Sequence, residues 1–200
     1  MVSPSEKELL PEGTPNRKRW TRKECEFLVE SDLLTGRYEL IEGEVIFKMG
    51  QKPTHAFVIV RLMVWLSALF GGEYVRIQLP IDVADADNAT NEPEPDAAVL
   101  AQPATAYLER NPGPADLLLV VEVSDTTLRF DLTTKALLYA RAGIREYWVV
   151  DIAGRQILAH RNPTPQGYQE TIAYAESESL TLLARPETAV QVASLLPPAG

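Results

Sequence analysis

The strongest hydrophobic run in the chain is Leu117-Leu118-Leu119-Val120-Val121-Glu122-Val123-Ser124, with aliphatic and β-branched side chains on both faces. That pattern predicts a strand buried on both sides, at the centre of a sheet. Val58, Leu62, Trp65, Leu66 and Leu69 instead recur at helical spacing and predict a core helix from about Thr54 to Phe70, ended by Gly71-Gly72. Thr21, with Glu24 three residues on, has the capping-box pattern for a short helix to about Glu30. Tyr38-Glu39-Leu40-Ile41 and Glu44-Val45-Ile46-Phe47 flank Glu42-Gly43 as the arms of a tight hairpin. Alternation over Tyr74 to Val83 predicts one long strand, and Pro95 to Leu100 a short buried one.

After the central strand, Asp131 is placed as the cap of a helix that carries Lys135 to Ala140 and stops at Gly143. Glu146 to Asp151 reads as a further apolar strand. Gly154 turns it towards Arg155 to His160, an edge strand on this reading, and Tyr168 to Ala173 adds an antiparallel partner. The tail from Pro186 to Leu196 reads as a terminal helix. Residues 1–16, with three prolines and a glycine, read as a mobile arm, and 17–196 as one domain. The order of elements predicts an α/β architecture, a mixed sheet flanked by helices.

Composition narrows the function classes. At 200 residues and 46% hydrophobic the chain can bury a substantial core. The longest apolar stretch, Ala56 to Phe70, is interrupted by Arg61 and Ser67, so no membrane span is expected. A single cysteine, Cys25, excludes an internal disulfide framework and makes the cytoplasm the default compartment. No glycine-rich phosphate loop is present, which argues against the dinucleotide and nucleoside-triphosphate folds. A net charge of −9 disfavours tight, non-specific nucleic-acid binding, but it is compatible with an acidic cleft neutralised by a divalent metal.

Chemistry enters through Glu122. An ionised carboxylate alone in that run costs several kcal/mol, on the scale of a domain's whole stability. It has to be paired, protonated, at the rim of a cleft, or bound to a cation. Pro95-Asp96 opens one short strand, Glu122-Val123-Ser124 ends the next, and Lys135 lies on the following helix. If the strands are neighbours, Asp96 and Glu122 converge at one sheet edge, where Mg²⁺ accepts one or two carboxylates with waters and substrate phosphate. The structural alternative is a buried salt bridge from Glu122 to Lys135 or Arg129.

These residues resemble the PD-(D/E)XK restriction-endonuclease-like nucleases and, more closely, the Uma-two family of bacterial endonucleases. The resemblance is carried by Tyr38 to Glu44, His55, Pro95-Asp96, Val121-Glu122-Val123-Ser124, Lys135 and the block from Tyr139 to Trp148. It implies a restriction-endonuclease-like core in which Asp96 and Glu122 bind Mg²⁺, with Mn²⁺ as substitute, and a lysine assists hydrolysis of DNA, or of RNA. Ser124 stands where the superfamily has its lysine, so Lys135 on the helix becomes the candidate. Glu44, in preference to Glu39, is taken as the accessory acid, with His55 and Ser124 as further accessory residues. Members of the superfamily often dimerise, which makes a homodimer an expectation. The alternative function is a nuclease-fold module that binds nucleic acid or protein without efficient cleavage.

Overall fold

A strand that is apolar on both faces needs cover on both, and the fold supplies it. The computed structural model describes residues 17–48 and 50–199, so the arm expected over residues 1–16 lies outside the described residues. Along the chain run α1 (Arg22–Glu30), β1 (Tyr38–Ile41), β2 (Glu44–Phe47), α2 (Pro53–Phe70), β3 (Val75–Ile77), the single turn α3 (Asp85–Asn88), β4 (Ala97–Leu100) and β5 (Leu117–Ser124). They are followed by α4 (residues 128–141), β6 (Glu146–Asp151), β7 (Gln156–Thr164), β8 (Gly167–Ala175), β9 (Ser179–Leu182) and β10 (Arg185–Gln191).

Six strands form one mixed sheet in the order β3-β4-β5-β6-β7-β8, with β5 and β6 parallel and the other pairs antiparallel. Parallel neighbours need a crossover, and α4 is that connection. On one face α2 lays Val58, Ile59, Leu62 and Leu66 against Leu119, Val121 and Val123 of β5 and Trp148 and Val150 of β6. Trp65 stacks on Trp148 at 6.0 Å between ring centroids. On the other face α4 packs Ala136 and Tyr139 onto Val120, Tyr147 and Val149. Glu122 shares its parity with Val120, so strand alternation sends it to the α4 side. β1–β2 and β9–β10 form separate two-stranded hairpins.

The β1–β2 turn forms as its sequence requires, with Glu42 at φ 52° and Gly43 at φ 76°, the two positive angles of a type I′ turn. The Thr21 capping box is also present, the Thr21 side chain accepting from Glu24 N–H while the Thr21 backbone N–H donates to Glu24.

Several expectations are corrected. The long strand over Tyr74 to Val83 is paired only over Val75–Ile77, because Gln78 takes φ 52° and Pro80 has no N–H to give a ladder. The tail is not a helix: Arg185–Gln191 is β10, paired with β9, followed by one 3₁₀ turn at Val192–Ser194. There Val190 and Val192, two apart, alternate inward as a strand does. Asp131 does not cap its helix; α4 begins at Leu128, three residues earlier. α2 is long and apolar enough to cross a membrane by length and composition alone, contrary to the expectation for this stretch. In the fold its inner stripe packs on the sheet.

His160 is not on an edge strand either, since β7 pairs with both β6 and β8. Its ring stacks on Tyr147 at 5.4 Å and its Nδ1 lies 2.9 Å from the Thr171 hydroxyl, while Nε2 is buried without a partner among the described residues. Burial lowers its pKa from 6.5 to about 4. A proton is then taken up more readily by the unfolded chain, so stability is lost as pH falls from 6.5 towards 4. The loss amounts to about 3 kcal/mol. His160→Gln is expected to remove that component, visible as a flatter dependence of Tm on pH than the wild type over the same window. Parallel curves would contradict this reading.

Candidate active site

Where the pairing of β4 with β5 ends, the register Ala97↔Val121 carries on by one step to place Asp96 opposite Glu122. The Asp96 carboxylate closes the strand end, its Oδ2 accepting from Val123 N–H at 2.9 Å and its Oδ1 from Gln78 Nε2 at 3.1 Å. His55 Nε2 stands 3.3 Å from Asp96 Oδ2. Burial raises the Asp96 carboxyl, but His55, Val123 N–H and Gln78 outweigh it and hold it below its ordinary range. Reciprocally, the hydrogen bond to Asp96 raises His55 against the opposing effect of burial and favours the imidazolium. His55 enters from the third position of α2, a helix opened by Pro53.

Glu122, only 4% exposed, accepts from Lys135 Nζ and from the Tyr139 hydroxyl, both at 2.9 Å and both on Oε1. No described protein group donates to its Oε2. Lys135 Nζ also lies 2.9 Å from Glu39 Oε1. Burial pushes Glu122 upward, and the nearby charges of Asp131, Asp96 and Glu39 add to this. Lys135 opposes them, and the carboxyl is held above its ordinary range. Burial alone would lower Lys135, but Glu122, Glu39 and Asp131 overcome it and keep the ammonium charged.

Lys135 reaches this position through a local irregularity. Residues Asp131–Lys135 form a π turn inside α4, in which Ala136 N–H donates to Asp131 O five residues back. Such widened turns are rare and recur at functional sites. Here the turn buries Asp131 and Lys135 together. Asp131 accepts from the Ser124 hydroxyl at 2.7 Å and from Thr127 at 2.6 Å, tying the end of β5 to the start of α4.

Glu39, His55, Asp96, Glu122 and Lys135 line one cavity of about 470 Å³. Glu44 does not join them. It pairs with Ile41 beside the hairpin turn, has an exposed side chain and sits 3.7 Å from Arg17. Glu39, across from Ile46, is the hairpin acid at the site. Arg129 is not the partner of Glu122, and Ser124 acts on Asp131 and not on the cavity. Sequence reasoning missed Tyr139, although its i+4 spacing from Lys135 puts both on one helix face. It also missed Gln78, which nothing in the local pattern singles out.

A second buried acid shows by contrast why Glu122 stands out. Glu146 is fully buried, but Oε1 takes Arg161 at 2.7 Å and Trp148 Nε1 at 3.1 Å, while Oε2 takes Leu183 N–H at 2.7 Å. Both its oxygens are used within the protein, as a structural charge requires. Glu122 has one oxygen left over in a cavity.

The donor set fits a hard divalent cation. Asp96 and Glu122 offer carboxylate oxygens from adjacent strands, and four acids (Glu39, Asp96, Glu122 and Asp131) outnumber Lys135 and His55 within the same buried region. Among the described residues no three His, Cys, Asp or Glu side chains are grouped closely enough to hold an ion by themselves. Mg²⁺ needs no such cage, since it uses one or two carboxylates and takes its remaining ligands from water and substrate phosphate.

A mixed sheet flanked by helices, with two acids facing each other on adjacent strands and a lysine from the crossover helix, has the architecture of a restriction-endonuclease-like fold. The chain belongs to the Uma2 family, described as "Putative restriction endonuclease", whose model matches residues 28–193. A solved structure described as a putative nuclease belonging to DUF820, from Anabaena variabilis, shares the fold with a TM-score of 0.64. That similarity covers 84% of this chain and 96% of the other at 15% sequence identity. No curated protein matches the chain.

Proposed function

We propose that the protein is a Mg²⁺-dependent endonuclease that hydrolyses phosphodiester bonds of DNA. The observation that carries this reading is the meeting of Asp96, Glu122 and Lys135 in one cavity, with Glu122 Oε2 free of donors among the described residues. Asp96 and Glu122 are the residues that would hold the cation. When bound, such an ion lowers the pKa of a water and offsets charge on a phosphoryl group.

The protein's own groups have distinct tasks in an in-line displacement. Lys135 holds a permanent positive charge at the cavity floor, suited to stabilising the charge that gathers on the phosphoryl oxygens. Glu39 is a positioning residue: its Oε1 faces Lys135 while its Oε2 accepts from Glu94 N–H. Tyr139 fixes the Glu122 rotamer through its hydroxyl, and His55 does the same for Asp96. Ser124 and Asp131 hold the π turn from which Lys135 projects.

The test is cleavage of single- and double-stranded DNA and of RNA, with Mg²⁺, with Mn²⁺ and with chelator. Mg²⁺-dependent DNA cleavage that disappears in Asp96→Asn is expected, with the variant still folded by circular dichroism. Binding of DNA without cleavage in either metal would favour a non-hydrolytic module. Cleavage that persists in chelator would remove the assigned role of Asp96.

A further inference from the structure

The walls of the same cavity carry information about the form of the substrate. Above the acidic floor it is lined by Ile46, Phe47, Val123 and Phe130. Phe47, at the end of β2, is 56% exposed. Phe130 is half-buried against the cluster of Ile41, Val83 and Leu138, which fixes it in place. An apolar wall of this kind is an unusual neighbour for a phosphate, and a natural one for the flat face of a nucleobase.

The cations around the mouth point the same way. Arg37 lies 3.0 Å and Lys48 3.4 Å from Glu94, and Lys52 lies 2.9 Å from Asp125. Arg37 and Lys48 share the one Glu94 carboxylate and Lys52 has Asp125, so little positive charge is left over at the mouth, and the chain as a whole carries −9. Duplex binding draws on many lysine and arginine contacts to two phosphate backbones. Single-strand binding obtains part of its energy from base–aromatic stacking, which costs nothing in net charge. The volume of about 470 Å³ lies within the roughly 300–1,000 Å³ of sites that enclose a small molecule, enough for an unstacked nucleotide.

The geometry points to a site for single-stranded or locally melted DNA, in which a base unstacked beside the scissile phosphate rests on Phe47 and Phe130. This inference rests on the nuclease reading above and adds the strand form of the substrate to it. Opening a duplex costs unstacking energy, so the intact duplex is the poorer ligand.

The experiment measures binding by fluorescence anisotropy with Ca²⁺ in place of Mg²⁺, and cleavage with Mg²⁺. The probes are a single-stranded DNA oligonucleotide, its blunt duplex, and a single strand whose bases are replaced by abasic sites. The intact single strand is expected to bind tightest and to be cut fastest. Phe47→Ala is expected to weaken its binding by about 5- to 150-fold, the loss of one stacked base, with Tm unchanged and affinity for the abasic strand unaltered. Phe47→Trp should restore the affinity. Metal-dependent cleavage that prefers the duplex, or Phe47→Ala binding the intact strand like wild type, overturns the inference while leaving the nuclease reading intact. Absence of both binding and cleavage with every probe would overturn the two together.

Discussion

Lys135→Met is expected to destabilise the metal-free protein by about 3–5 kcal/mol, a fall in Tm of roughly 6–20 °C for a chain of this size. The ammonium is buried, 2.9 Å from Glu39 and from Glu122, with Asp131 close by. Methionine fills much of the same volume, so the loss comes from charge: two carboxylates remain close together without a cation between them, with the Tyr139 hydroxyl on Glu122 and the Glu94 N–H on Glu39 as their remaining donors. Arginine is not a conservative replacement, since its planar fork does not fit a site shaped around a point charge. Cleavage should fall by about 100- to 1,000-fold, because the charge assigned to the phosphoryl oxygens goes with the side chain. A variant with unchanged Tm would mean that Lys135 lies away from the acids. A variant with lowered Tm and full activity would mean that the lysine is only structural.

Glu122→Gln is expected to act in opposite directions on activity and stability. The amide can still accept from Lys135 and Tyr139, but it is a poor ligand for a hard cation, so Mg²⁺-dependent cleavage should be lost. In the metal-free protein the same change removes a buried negative charge that Asp131, Asp96 and Glu39 all oppose. Stability without metal should therefore rise, by about 1–2 kcal/mol or roughly 2–8 °C in Tm. The stabilising shift that Mg²⁺ gives the wild type should vanish in the variant. Were Glu122 only half of a structural ion pair, the variant would be less stable and any Mg²⁺ shift would be untouched.

How far the site could be read in advance depends on whether each residue's signal was local. Glu122 was legible because an acid inside Leu117 to Ser124 conflicts with its neighbours, and burial makes that conflict costly. Asp96 followed once the two apolar runs were taken as adjacent strands, which their register confirms. The hairpin acid was misassigned because Glu39 and Glu44 lie on one two-stranded unit. Only its docking decides that the open end near Glu39 meets the sheet edge, while the turn near Glu44 projects towards Arg17. Lys135 was found by its position after Asp131, but the π turn that aims it leaves no mark in the sequence. The tail was misread for a similar reason: Val190 and Val192 alternate inward only because β9 offers Leu180 and Leu182 beside them.

The central claim is that Asp96 and Glu122 share one divalent cation beside Lys135. Anomalous diffraction from crystals of the wild-type protein grown with Mn²⁺ tests it most directly. One strong peak is expected within coordination distance of an oxygen of Asp96 and of Glu122 Oε2, absent from crystals of Glu122→Gln under the same conditions. A peak elsewhere, or an ordered empty cavity at saturating Mn²⁺ with the Glu122–Lys135 contact unchanged, would contradict the account.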